Sequence, residues 1–308
     1  MRLCIFTEPQ FGASFADQVR AVRTTEDAGF DGYFRSDHYV HTDGGEGLPG
    51  PTDSWVTLGG LALETSTIRL GTLVTSATFR HPGPLAISVA QVDEMSGGRI
   101  ELGLGAGWHE AEHQAYAIPF PSIGERFDRL TEQLEILTSM WATPVGERMN
   151  YAGKYYSIVD SPALPKPTQS PRPPIIIGGA GPKRTPALAA RFADEFNVPF
   201  RSAAEVARVY RLVDDACVFA GRADLPVKSA AVTVVSGRTD AEVRARWGTD
   251  ILDTDSGDGT VIGTPNKIVN DLGAYVEAGA TRLFLQMRDL RDLDLIELIA
   301  AEIAPQLP

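Results

Sequence analysis

Eight short apolar runs recur along the chain, at residues 3–7, 32–36, 69–74, 100–103, 175–177, 195–198, 227–235 and 282–286. Most are apolar at consecutive positions, as strands buried on both faces of a parallel sheet must be. Between them lie stretches with helix start and stop signals. Ser14 is placed to cap a helix that Gly29 ends. Ser122 and Glu125 form a capping box ahead of Phe127, Leu130, Leu134, Leu137 and Trp141 at helical spacing. Thr239 and Glu242 form another, and Thr264-Pro265 opens a helix that Gly279 closes. Strands alternating with helices predict an α/β fold. The count of eight predicts a closed (β/α)8 TIM barrel, with residues 1–308 as one domain. Two segments break the rhythm and are predicted as insertion loops: 42–52, rich in Gly and Pro, and 144–174, with Tyr151, Tyr155 and Tyr156. Loops of such length usually carry function or are disordered.

A chain of 308 residues that is 43% apolar can bury a core of that size. Its net charge of -12 speaks against nucleic acid as a partner, because phosphate contacts need clustered Lys and Arg. Cys4 and Cys217 do not make a disulfide scaffold, so a cytoplasmic, reducing compartment is expected. No apolar run reaches the roughly 18 residues of a membrane span, and the N-terminus leads directly into the first strand, so no membrane partner is expected.

In such a barrel the reacting groups sit at the C-terminal ends of the strands. Strand two ends in Ser36-Asp37-His38, where an imidazole can face a substrate while the carboxylate fixes its tautomer or bonds a cofactor edge. After strand three, Thr75 and Ser76 offer hydroxyls to a helix or a ring. Strand four runs into Gly105-Ala106-Gly107, small enough for backbone to approach a planar ring or a phosphate, followed by Trp108 and His109. Strand five feeds Gly178-Gly179-Ala180-Gly181, then Lys183, Arg184 and a helix starting near Thr185: a ready anion site. Phe6, Trp55, Phe79 and Trp108 can wall a substrate pocket or belong to the core.

The run His109-Glu110-Ala111-Glu112-His113 also has the zinc-protease spacing H-E-x-x-H. His109 would sit at a frayed helix start, and no histidine follows His113 to complete a ligand set. No metal site is therefore expected; His109 would face a ligand and His113 the solvent.

Together these segments resemble the bacterial luciferase-like superfamily, and within it the actinobacterial branch that uses coenzyme F420. The resemblance rests on Glu26-Asp27-Ala28-Gly29-Phe30-Asp31, Ser36-Asp37-His38, Arg69 to Val74, Ser96-Gly97-Gly98-Arg99 and Gly103 to Trp108. Further along come Glu125-Arg126-Phe127, Pro165-Lys166-Pro167 with Gln169, Ile177-Gly178-Gly179, Gly263-Thr264-Pro265 and Glu277-Ala278-Gly279-Ala280. It implies a cofactor ring at the barrel mouth and a non-proline cis peptide at Leu73-Val74 behind that ring. Asp37 and His38 would lie near ring and substrate. Leu73, Val74, Thr75, Gly105, Ala106 and Gly107 would lie at the ring, and Gly178 to Gly181 at the phosphate. The implied activity is hydride transfer between F420 and a small organic substrate, with His38 managing the proton and a homodimer as the assembly. The nearest alternative is a two-component monooxygenase using reduced FMN. A barrel that binds such a ligand without turnover is another, against which the Asp37-His38 pair speaks. The family's sugar-phosphate dehydrogenase has an acid where this chain has Trp108, which speaks against a sugar phosphate as substrate.

Overall fold

Each of the eight apolar runs forms a strand in the computed structural model, which describes residues 1–42, 44–247 and 259–308. The strands are β1 (Arg2–Thr7), β2 (Gly32–Arg35), β3 (Arg69–Thr72), β4 (Ile100–Gly105), β5 (Ile175–Gly178), β6 (Glu195–Pro199), β7 (Val227–Ser236) and β8 (Arg282–Met287). Each pairs in parallel with the next. β8 returns to β1, and β7 pairs with both β6 and β8, so the sheet closes on itself. Closure removes the sheet edges, and parallel pairing sends every helix to the outside.

The helices begin where the capping signals sit. Ser14 accepts from the Asp17 amide, and Asp17 answers in a capping box that starts the helix Phe15–Asp27. Ser122 caps Ile123–Ala142 by accepting from the Glu125 amide. That helix buries Leu130, Leu134, Leu137 and Trp141 against the barrel, a face set by its 3.6-residue period. A second, smaller apolar group fills the barrel interior: Cys4, Phe6, Phe34, Ile176, Ala231 and Phe284.

Three details depart from the sequence expectations. The β3 ladder stops at Thr72, two residues early, because Leu73-Val74 is a cis peptide; Thr75–Ser76 then pairs with Leu104 and Gly105 of β4. Thr260–Gly263 is a further parallel strand beside β7. The long 144–174 insertion holds an antiparallel hairpin, Met149–Ala152 with Ser157–Ser161. Glu132 of the neighbouring helix accepts three amides of its turn, those of Lys154, Tyr155 and Tyr156. In the 42–52 loop, residue 43 lies outside the described residues.

Inside the end of the barrel opposite the mouth, Arg282 is 1% exposed. Its Nη1 donates to Glu101 at 2.6 Å and to Glu195 at 2.8 Å. Its guanidinium lies over the rings of Phe34 and Phe284. Burial opposes the charge on both carboxylates. Arg282 and Arg69 still hold Glu101 below the usual range, whereas burial wins at Glu195 and pushes it up.

Candidate active site

Residues that follow the C-terminal ends of the strands enclose a cavity of about 660 Å3. Phe6 and Glu8 come from β1, Ser36, Asp37 and His38 from β2, and Gly105 to Trp108 from β4. The turn Gly178–Gly181 after β5 and the segment from Asn197 to Arg201 close the other side. The volume lies within the usual range for a small-molecule or cofactor site, about 300–1,000 Å3.

The floor is made by the Leu73-Val74 cis peptide. Its fit depends on missing side chains around it. A Cβ on Gly103 would stand 2.1 Å from the Thr72 carbonyl and 2.8 Å from Val74, and one on Gly105 would stand 2.9 Å from Val74. These glycines therefore make room for the floor. Gly107 has φ +78°, and its Cβ would meet the Ser76 hydroxyl. Ser76 lines the cavity, but Thr75 does not. The expectation for Thr75 is corrected: its hydroxyl accepts from the Trp55 indole at 3.1 Å and donates to Thr72 at 3.1 Å. Trp55 is thereby fixed in the core, while Phe6, Phe79 and Trp108 do face the cavity.

His38 stands at the centre of the polar wall. Its Nδ1 lies 3.0 and 3.1 Å from the two oxygens of Glu112, and Glu112 also accepts the Tyr39 amide at 3.0 Å. Glu112 is only 1% exposed. A carboxylate accepts and does not donate, so Nδ1 carries the proton. Nε2 has no hydrogen-bond partner and is not sealed from solvent, which leaves it open to the cavity. Burial works against a charged imidazole. The hydrogen bond and charge of Glu112, with Glu8 and Asp37 farther off, outweigh it and hold His38 above the ordinary histidine range.

The carboxylate that fixes His38 is thus Glu112, not its neighbour Asp37. Asp37 is ion-paired with Arg80, which also holds Asp53, the N-cap of helix Ser54–Glu64. Asp37 therefore ties the β2 end to the next connections.

The zinc-like spacing is taken apart by the same contacts. Glu112 belongs to His38. His113 is buried, not solvated: its Nδ1 donates to the His109 carbonyl at 2.7 Å and its Nε2 meets Thr78 at 2.6 Å. His109 precedes the short helix Glu110–Ala115 and does not line the cavity; it packs edge-on to His38 with ring centroids 6.0 Å apart. Trp108 lines the cavity, 5.4 Å from the His38 ring. Glu112 escapes a motif reading because it occupies an x position of that motif. Glu8 and Arg80 sit alone in loops with no spacing signal, and only the closed barrel brings Glu8 into the surroundings of His38 and Arg80 to Asp37.

Opposite His38, Gly178 to Gly181 lead into helix Arg184–Phe192, whose first turn has no side-chain cap. Uncapped amides beside a glycine turn suit an anion. The two cations predicted there divide: Arg184 is ion-paired with Asp128 and donates to the Gly124 carbonyl, whereas Lys183 is exposed.

The profile of the luciferase-like monooxygenase family matches residues 1–254. An uncharacterized protein of Mycobacterium tuberculosis is 32% identical over 235 residues, 75% of this chain and 76% of that one. An F420-dependent glucose-6-phosphate dehydrogenase of Microbacterium testaceum is 40% identical over 179 residues, 56% of this chain and 48% of its own length. Among solved structures, an F420-dependent secondary alcohol dehydrogenase in complex with an F420-acetone adduct superposes with a TM-score of 0.82. It is 16% identical and covers 100% of this chain and 99% of its own. The oxygenating constituent of 3,6-diketocamphane monooxygenase from Pseudomonas putida, in complex with FMN, gives 0.78 at 19% identity, with the same coverage.

Proposed function

Because the chain belongs to the luciferase-like monooxygenase family, we propose that it is an oxidoreductase that uses coenzyme F420 to exchange a hydride with a small organic substrate. The observation that carries this reading is the open Nε2 of His38, anchored through Nδ1 by a buried carboxylate and facing the cavity. The sequence relative named for F420-dependent glucose-6-phosphate oxidation supports the choice of cofactor.

The residues present fit such a group. The Leu73-Val74 floor and the small residues Gly105, Ala106 and Gly107 leave a flat face without side-chain obstruction. The turn Gly178 to Gly181 with the uncapped helix start would hold the phosphate, and Lys183 lies just beyond it. When bound, F420 supplies or takes up the hydride; the protein supplies position and surroundings. His38 donates a proton from Nε2 to a carbonyl oxygen of the substrate, or accepts one from a hydroxyl. Glu112 keeps the ring in the tautomer and orientation that allow this. Phe6, Phe79, Ile123 and Phe127 exclude water from that atom. A homodimer in the cytoplasm belongs to the same reading.

The FMN-dependent monooxygenase is the second reading, favoured by the FMN complex among the solved structures. Fluorescence titration of the purified protein separates the two. F420 binding with a dissociation constant on the order of micromolar, and none for FMN, is the expected result. Tight FMN binding without F420 binding overturns the proposal.

A further inference from the structure

A chain of hydrogen bonds runs from the cavity wall into the buried side of the short helix Glu110–Ala115, apart from the His38–Glu112 pair. Ser76 is its member at the cavity. Ser76 Oγ lies 2.6 Å from Thr78 Oγ1, and Thr78 Oγ1 lies 2.6 Å from Nε2 of His113. Nδ1 of His113 lies 2.7 Å from the His109 carbonyl. Neither Thr78 nor His113 lines the cavity.

The far end of the chain sets its direction. A carbonyl only accepts, so Nδ1 of His113 carries a proton. The ring is 1% exposed and packs against Phe79 and Phe120, with centroids 5.1 and 4.5 Å away. Its hydrogen-bond partners are a carbonyl and a hydroxyl, with no carboxylate between them, and the adjacent Glu112 is engaged by His38. A buried charge without an ion partner is costly, so the ring is held in its neutral form. Nε2 then offers only a lone pair, and Thr78 must donate to it. With that proton committed, the Thr78 oxygen accepts from Ser76, and the Ser76 proton is committed in turn.

Ser76 is left with lone pairs alone. One meets the Thr78 amide at 3.5 Å, the long limit of a hydrogen bond. Among the described residues no other hydrogen bond reaches this oxygen. Gly107 keeps it uncovered, since a Cβ there would stand 2.4 Å from it.

We infer that Ser76 is a hydrogen-bond acceptor built into the cavity wall, oriented through Thr78 by His113, and that it takes an N–H or O–H of what binds there. A carbonyl oxygen at that point meets a lone pair and is disfavoured. Thr78 and His113 are positioning residues. The identity of the donor rests on the proposed F420 dependence, which brings two of them: the imide N–H of the deazaflavin ring and the hydroxyl of an alcohol substrate.

Nitrogen-detected NMR of the ligand-free protein at about pH 8, where histidine is neutral, reads the direction of the chain. The expected result is a His113 ring protonated at Nδ1, identified by the Nε2 signal that moves in Thr78→Val. Protonation at Nε2 overturns the inference. Binding then identifies the donor. Ser76→Ala should weaken one of two ligands by about three- to tenfold. Weaker F420 in a fluorescence titration assigns the ring N–H. Weaker cyclohexanol in calorimetry of the F420-loaded protein assigns the substrate hydroxyl. Thr78→Val frees the Ser76 proton to face the ligand's own, and should weaken the same ligand by about twofold or more, whereas Thr78→Ser keeps the chain and the native affinity. Native affinity for both ligands in Ser76→Ala, or native affinity in Thr78→Val, overturns the inference. Absence of F420 binding to the native protein overturns the functional reading instead, and leaves the NMR result to decide the direction of the chain.

Discussion

The barrel holds two buried charged clusters at opposite ends, and they are built to different purposes. At the closed end, Arg282 is gripped by Glu101 and Glu195, stacked between Phe34 and Phe284, and cut off from solvent. At the mouth, His38 is gripped by Glu112 through Nδ1 alone, and Nε2 opens into the cavity. Both clusters neutralise a buried carboxylate with a cation. Only the second leaves an unpartnered atom open to the cavity at the mouth. A buried ion pair is weak evidence for function by itself; the unsatisfied atom facing a cavity distinguishes one from the other.

The comparison can be broken from either side. The largest effect is expected at the closed end, where Arg282→Met would strand Glu195 in the interior and leave Glu101 with Arg69 alone. A loss of about 4 kcal/mol in unfolding free energy, read by urea denaturation, is the expected outcome. A loss below about 1 kcal/mol would mean that the cluster is already uncharged. At the mouth, His38→Ala should lower turnover by about 100- to 1,000-fold, while F420 affinity changes less than about threefold. Equal losses of both would make His38 a binding residue only.

Glu112→Gln should act more gently and through pH. In the native protein Glu112 raises the His38 pKa, so reduction of a carbonyl, which needs the protonated ring, falls off as pH rises through that raised value. Removing the carboxylate leaves burial opposed only by the charges of Glu8 and Asp37 and lowers the pKa. The fall-off should then move to lower pH, with rates about tenfold down at neutrality. The stability linkage has the same sign. The stabilisation from the His38–Glu112 pair is complete below the unfolded histidine value of about 6.5, and it is lost as pH rises through the folded value. In Glu112→Gln this slope should vanish from thermal melts taken across that window.

The barrel was legible in the sequence because its strands are buried on both faces, which leaves consecutive apolar runs, and because its helices are capped locally by Ser14 and Ser122. The hairpin Met149–Ala152/Ser157–Ser161 was not, since it is half exposed and held by Glu132, a residue of the preceding helix. The glycine turns of the site could be read from composition at strand ends. The partner of His38 could not: Asp37 is next in sequence, but successive residues near a strand end diverge, and Arg80 claims it. Glu112 reaches His38 only because β4 and β2 converge on one mouth. Thr75 was misplaced because its hydroxyl is taken by Trp55 and Thr72, partners that sequence spacing does not mark.

The most direct measurement is a proton titration of the His38 ring itself, by nitrogen-detected NMR with the His38→Ala spectrum assigning its signals among the five histidines. The expected result is a midpoint above the ordinary value of about 6.5, with the neutral form protonated at Nδ1 and Nε2 the atom that titrates. A midpoint at or below 6.5, or a neutral form protonated at Nε2, would contradict the assignment of His38 as the proton site of this barrel.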